Sequence, residues 1–230
     1  MAILNGDDFN NNIRGTHDND DLYGYEGDDR LYGKDGDDYL DGNFGDDKLD
    51  GGDGNDDLYG EDGNDKLDGG HGNDYLDGGY GNDKLEGEKG NDKLYGGYGE
   101  DKLYGGEGND ELYGEDGNDK LKGEEGDDLL RGGHGDDKLY GGEGYDTLYG
   151  GEGADTFAFK RLSGEVDVIK DFDRHQGDVI QIDSHRFGAS NYHDFQYDSH
   201  SGALSYEGTH FATIESPVNG FEPTENISFG

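Results

Sequence analysis

Gly69-Gly70-His71-Gly72-Asn73-Asp74-Tyr75-Leu76-Asp77 is followed without a gap by Gly78-Gly79-Tyr80-Gly81-Asn82-Asp83-Lys84-Leu85-Glu86. Both nonapeptides carry glycine at positions 1, 2 and 4, aspartate at position 6 and leucine at position 8, and this frame runs through most of the chain. Aspartate fills position 6 in sixteen successive copies: Asp20, Asp29, Asp38, Asp47, Asp56, Asp65, Asp74, Asp83, Asp92, Asp101, Asp110, Asp119, Asp128, Asp137, Asp146 and Asp155. Two residues after each stands an apolar side chain, leucine from Leu22 to Leu148 and finally Phe157. Position 1 is an unbroken row of glycines, Gly24, Gly33, Gly42, Gly51, Gly60, Gly69, Gly78, Gly87, Gly96, Gly105, Gly114, Gly123, Gly132 and Gly141, ending at Gly150. Position 4 is a second row, Gly27, Gly36, Gly45, Gly54, Gly63, Gly72, Gly81, Gly90, Gly99, Gly108, Gly117, Gly126, Gly135 and Gly144, ending at Gly153.

Each copy divides into a turn and a strand, because glycine supplies conformations with φ > 0 while x-Leu-x is a minimal alternating strand with the leucine inward. Hairpin pairing of such short strands would leave every leucine in water. Winding them into a coil instead stacks the leucines of two facing sheets, with two nonapeptides, eighteen residues, per coil. The predicted fold is all-β: a parallel β-roll, that is, a right-handed β-solenoid of 18 residues per coil with a β-rich C-terminal cap. Residues 1–19 read as a degenerate first coil with Asn11 in the aspartate position, 20–157 as the regular roll, and 158–230 as the cap.

Stacked coils set the motif aspartates in two files, for example Asp56, Asp74, Asp92 on one edge and Asp65, Asp83, Asp101 on the other. Neighbours about 4.8 Å apart repel by roughly 3 kcal/mol at an effective dielectric of about 20. A hard divalent cation between loops removes that cost, and calcium suits the six to eight oxygens that carboxylates and turn carbonyls can offer. Eight motifs on each edge leave at most seven gaps per edge, so up to about fourteen sites, with the motif aspartates and the two glycine rows as their candidate residues.

The rest of the composition agrees. Among 230 residues, 47 are glycine and only 28% are hydrophobic, with a formal charge of −40, values that by themselves describe a disordered chain. With no cysteine, neither disulfides nor thiolate metal sites are available to organise it. Fifty-eight acidic against eighteen basic residues disfavours nucleic acid and favours cations as partners. No apolar run is long enough for a membrane span, and Met1-Ala-Ile-Leu-Asn-Gly-Asp-Asp lacks the apolar core of a cleavable signal peptide.

The copies Gly69–Asp77 and Gly105-Gly106-Glu107-Gly108-Asn109-Asp110 resemble the RTX, or hemolysin-type, calcium-binding nonapeptide. The resemblance implies calcium binding through motif aspartates and turn carbonyls, and an unfolded state in the calcium-poor cytoplasm. It further implies type I secretion without an N-terminal signal and folding outside the cell. The chain departs from the repeat at position 2, where Tyr25, Lys34, Asn43, Glu61, Glu88, Glu115 and Glu124 replace glycine. These loops are expected to keep their ligands and bind more weakly.

Sorting the outward positions by side separates two faces. One sheet carries Arg30, Lys48, Lys66, Lys84, Lys102, Lys120 and Lys138 before its leucines, with Asp50, Asp68 and Glu86 in the adjacent column. The other carries Asp21, Tyr39, Asp57, Tyr75, Lys93, Glu111, Leu129 and Thr147. Self-neutralised solvated surfaces and complementary docking faces are both open readings, and Tyr95, Tyr104, Tyr113, Tyr140 and Tyr149 are candidates for stacking on carbohydrate.

After Phe157 the period breaks. Val166–Phe172 and Asp178–Ile182 read as longer strands, and Phe195–Tyr197, Leu204–Tyr206 and Phe211–Ile214 as an antiparallel meander. Asp-x-Ile-x-Asp-Phe followed by Gly-Asp-x-Ile-x-Ile resembles the RTX capping segment, with Asp167, Asp171, Asp173 and Asp178 as candidates for one more calcium site. The tail Glu225–Gly230 loosely resembles a type I secretion signal. His175, His185, His193, His200 and His210 lack zinc-site spacing, and Ser184-His185 and Ser199-His200 lack a third member of a triad. No hydrolase, zinc-protease or phosphate-loop motif is present. The expectation is a secreted, noncatalytic calcium-binding structural protein that assembles into a filament or surface layer. The alternative is the folding and secretion module of a larger enzyme or toxin.

Overall fold

In a computed structural model the chain is a parallel β-solenoid; residues 1–160, 162, 165–187, 192–215 and 221–229 are described. Odd and even repeats fall into two facing parallel sheets. Within each sheet every strand pairs with the one eighteen residues away, as Lys84, Leu85 and Glu86 pair with Lys102, Leu103 and Tyr104. The leucine of each repeat is 0–2% exposed from Leu22 to Leu148. The core is therefore two leucine files pressed together, one residue wide on each side.

The strands are longer than x-Leu-x. Lys84–Lys89 is typical: six residues that include positions 1 to 3 of the next nonapeptide, so the corner shrinks to Gly-x-Asp. Pairing resumes beyond the position 1 glycine, with Glu88 opposite Gly106 and Lys89 opposite Glu107. The two glycine rows also differ in cause. Position 4 needs the left-handed region, as at Gly90 with φ 136°. Position 1 does not: no glycine from Gly24 to Gly150 in that row has positive φ, and these residues are glycine for lack of room, as described below.

Position 2 is left-handed whatever residue fills it. Tyr25, Lys34, Asn43, Glu61, Glu88, Glu115 and Glu124 have φ between 72° and 92°, close to the 95° and 98° of Gly79 and Gly97. The stacked coil imposes this conformation on side chains that disfavour it.

At the N-terminal end Ile3–Asn5 pairs with Asp21–Tyr23, and Asn12–Arg14 with Arg30–Tyr32, so the degenerate first coil is in register with the rest. At the other end both sheets run through Phe157. Thr147 and Leu148 pair with Val168 and Ile169, and Thr156–Phe159 with Val179–Ile182. The first of these new strands, Asp167–Ile169, is shorter than the expected 166–172 because Asp171 leaves the ladder to accept the N–H groups of Gly150 and Gly151. A last layer adds Ala212–Ile214 to one sheet and Ile227–Phe229 to the other. Phe195–Asp198, Ala203–Tyr206 and Thr209–Ile214 form the expected antiparallel meander. Here the leucine files give way to rings, among them Phe159 and Phe211 with centroids 5.2 Å apart. Gly230 of the tail lies outside the described residues.

Replacing Glu115 by glycine should relieve the left-handed backbone and raise the stability of the calcium-loaded coil by about 1 kcal/mol. Replacing Gly79 by valine should lower it. Thermal unfolding of both variants in calcium checks the pair of signs.

Candidate metal sites

The strand pairing places every motif aspartate at a corner, where the chain leaves one sheet for the other. All sixteen are at most 3% exposed. They form two continuous files, as the repeat predicts, and each is stitched to the next by a backbone bond. The N–H of Asp56 donates to Oδ1 of Asp74 and that of Asp74 to Oδ1 of Asp92, both at 2.8 Å. On the other edge Asp65 donates to Asp83 and Asp83 to Asp101, both at 2.7 Å.

Only one carboxylate oxygen is satisfied in this way. Oδ2 of every motif aspartate from Asp29 to Asp155 is buried without a hydrogen-bond donor, fifteen in all. Each faces the position 1 glycine five residues before it. A Cβ placed on Gly96 would stand 2.6 Å from Oδ2 of Asp101 and 2.7 Å from the carbonyl oxygen of Gly114 in the next coil. Position 1 is thus glycine because a carboxylate and a carbonyl oxygen occupy the space beside it. Position 4 crowds along the axis instead: a Cβ on Gly63 would collide with the carbonyl oxygen of Gly45.

A file of buried, unpartnered carboxylate oxygens next to backbone carbonyls is a set of hard oxygen donors lacking a cation, and it fits calcium. Among the described residues no three His, Cys, Asp or Glu side chains gather into a cage, so turn carbonyls must supply the remaining ligands. Without a cation the charged state is costly. Burial pushes Asp65, Asp128 and Asp137 up to about 8, Asp56, Asp74 and Asp83 to about 7, and Asp101 and Asp110 to about 6. The N–H bond from the preceding coil opposes burial at each of these positions without cancelling it.

Asp20 is the exception. Burial raises its pKa, but the Thr16 hydroxyl and the N–H groups of Ala2 and Thr16 outweigh burial and lower it. Thr16 donates to its Oδ2 from N at 2.6 Å and from Oγ1 at 2.8 Å. In the same coil Asn11 accepts the N–H of Asp7, and the Lys34 ammonium donates to the Gly15 carbonyl. Protein donors do at this end what a cation would have to do elsewhere.

Two features escaped the reading of the repeat. Asp167 and Asp178 extend the two files by one step each, accepting the N–H of Asp146 at 3.1 Å and of Asp155 at 3.0 Å. Their spacings of 21 and 23 residues break the nine-residue frame and conceal the continuity. The second is position 5, where asparagine or aspartate recurs before the motif aspartate. Its side-chain oxygen accepts the N–H of the same position one coil later, as Asn73 does from Asn91 and Asn91 from Asn109. This file runs opposite in sense to the motif aspartates, so corners such as those at Asn73, Asn91 and Asn109 are tied in both directions. The signal was legible as the recurrent Asn-Asp and Asp-Asp pairs.

The histidines of the C-terminal segment do not converge. His210 Nε2 lies 2.9 Å from the Ala212 carbonyl, and His200 sits beside Asp198. Asp173 accepts the N–H of His175 and donates its own N–H to Asp178.

Fold and corners together define a β-solenoid with oxygen-donor sites for divalent cations. The family model of the RTX calcium-binding nonapeptide repeat matches residues 5–40, 23–58, 32–67, 50–85, 77–112, 113–148 and 132–159. The chain belongs to this family, whose repeats bind calcium. No curated protein matches it. Among solved structures, the solution structure of the AlgE6R3 subunit from the Azotobacter vinelandii mannuronan C5-epimerase is 27% identical, over 57% of this chain and 78% of that one, with a TM-score of 0.27.

Two outcomes follow, one for the chain without calcium and one for calcium binding. The raised carboxyls remain protonated in the coil at pH values where the unfolded chain has ionised them near 3.8. Their stabilising effect is full below that value and is lost as pH rises through about 6 to 8. In chelator, circular dichroism should therefore show more sheet at pH 4 than at pH 8. Gly96→Ala fills the space beside Asp101, and a calcium titration should show weaker binding with at least one ion fewer than in the unsubstituted chain.

Proposed function

We propose that this chain is a calcium-folded structural protein of the cell exterior, with calcium held between coils by the motif aspartates from Asp29 to Asp155 and by carbonyls of the two glycine rows. The fifteen buried carboxylate oxygens without donors carry the reading, because a coil that ionises them at neutral pH requires a cation at each corner. Calcium is then a folding condition and more than a ligand. One leucine per nonapeptide contributes about 2–3 kcal/mol, less than the entropy of ordering nine backbones. Each ion at a hundredfold excess over its Kd adds about 2.7 kcal/mol.

Such a chain is unfolded at cytoplasmic calcium levels and folds where calcium is plentiful, which suits export through a type I system followed by folding outside. Among the described residues no helix is long and apolar enough to cross a membrane. The sixteen motif aspartates alone leave seven gaps per edge, about fourteen sites, and the satisfied Asp20 makes the gap between Asp20 and Asp38 the weakest. Regular outward columns on both sheets favour assembly of the coil with copies of itself over a catalytic role.

Asp83→Asn separates the calcium account from one in which the aspartates only shape turns. The amide oxygen can still accept the Asp65 N–H while the buried charge is removed. The variant should be more stable than the parent in chelator at pH 8 and less stable in millimolar calcium, read by thermal melting. Retention of full sheet by the parent in chelator at pH 8 would sink the calcium requirement.

A further inference from the structure

The two outer faces are not uniformly charged along the axis, and their imbalances lie at opposite ends. On the lysine face the N-terminal half is neutralised within itself: Lys66 Nζ is 2.9 Å from Glu86 and 3.5 Å from Asp68, and Lys84 also pairs with Glu86. Beyond Glu86 the acidic column ends. Lys102, Lys120, Lys122, Lys138 and Lys160 have no carboxylate within ion-pair distance among the described residues; Tyr104 and Tyr140 stand in the column beside them, Lys138 donates to Gln181, and Glu124 is an acidic residue on the Lys120 strand. Lys122 lies 4.5 Å from the ring centre of Tyr104, and Lys160 4.7 Å from that of Tyr140. Burial, with Lys160 and Lys120 nearby, lowers the Lys122 pKa, and Glu124 on the same strand opposes the shift without cancelling it.

The other sheet has the reverse arrangement. Its C-terminal half supplies its own cations, with Lys93 over Tyr95 and Arg131 over Tyr149. Its N-terminal half presents one aspartate and one tyrosine per coil in alternating columns: Asp21 with Tyr23, Tyr39 with Asp41, Asp57 with Tyr59, Tyr75 with Asp77. The rings form one unbroken row, with successive centroids 5.7, 5.3 and 5.6 Å apart from Tyr23 to Tyr75. None of the outward residues of these four coils on this face is basic, and Oδ1 of Asp41 is buried without a hydrogen-bond donor.

We propose that the C-terminal half of the lysine face docks on the N-terminal half of the tyrosine–aspartate face of a second copy, with the two coil axes aligned. Both patches span four coils and share one coil repeat, so each coil of one patch can set a lysine against the aspartate of one coil of the other. The patches lie on opposite sheets of the same molecule and cannot neutralise each other within it. Because they also lie toward opposite ends, successive copies are staggered along the axis. The contact is heterologous and does not close on itself, so it propagates as an open filament. This rests on the reading of the chain as an assembling calcium-folded coil, and specifies which faces meet.

Sedimentation velocity of the full chain in millimolar calcium at low ionic strength, with circular dichroism to confirm folding, tests it. The parent chain should associate, and less so as salt screens the contact. K120E/K138E and D57K/D77K change only outward positions, and each should weaken association about tenfold or more. An equimolar mixture of the two double variants should restore it, since each then offers the face the other lacks. The quadruple variant should associate alone. Association of the parent that neither double variant weakens, or that the mixture fails to restore, overturns the assignment of faces while leaving assembly standing. A folded parent that remains monomeric overturns assembly and this contact together.

Discussion

The whole molecule depends on one buried oxygen repeated at fifteen successive corners, from Asp29 to Asp155. Oδ2 of a motif aspartate sits beside the position 1 glycine and a carbonyl of the next coil, with no proton donor in reach. The other carboxylate oxygen is fixed by an N–H from the coil before it, which holds the file in register and prevents the side chain from turning toward water. A carboxylate held in this way must be neutralised by a proton or a cation. Calcium is the hard cation whose coordination shell such oxygens suit, and the repeat is a calcium-binding one.

This constraint explains features that would otherwise look separate. The leucine files can be one residue wide because the corners, and not the core, close the coil. The seven non-glycine residues at position 2 are carried in a left-handed conformation because neighbouring coils on both sides fix the backbone there. The first coil dispenses with the aspartate oxygen problem through Asn11, the Thr16 donors to Asp20 and the Lys34 ammonium on Gly15, as an end without a neighbour must. At the far end Asp167 and Asp178 continue the two files under a layer of aromatic side chains, so the N–H-to-carboxylate stitching outlasts the leucines, while Oδ2 of Asp178 takes the Asp173 N–H and is no longer without a donor.

The outer surfaces follow different logic. Nothing in the coil requires a lysine column on one sheet and a tyrosine row on the other, since outward positions are free to vary once leucine and aspartate are placed. Their order along the axis, with lysines outside ion-pair distance of any described carboxylate over Lys102 to Lys160 and aspartates beside tyrosines over Asp21 to Asp77, is therefore the part of the molecule most open to a role beyond binding calcium.

The sequence by itself determined the coil, the buried leucines, the two aspartate files and the separation of outward residues into two faces, because a nine-residue repeat leaves one winding that buries every leucine and repeats every eighteen residues. The tertiary structure decided what depends on the neighbouring coil. It showed that the position 1 glycines answer to crowding by Asp Oδ2 where φ had been the expected reason, that strands extend to six residues around corners of three, and that Asp167 and Asp178 belong to the files despite irregular spacing. It also joined Tyr23, Tyr39, Tyr59 and Tyr75 into one row. The extended files, the tyrosine row and the carbonyl that crowds each position 1 glycine are relations between residues one coil apart in space, while the aspartate oxygen beside that glycine is only five residues away but is held there by an N–H of the preceding coil. A repeat announces that such neighbours exist; only the stacked backbone fixes which atoms meet.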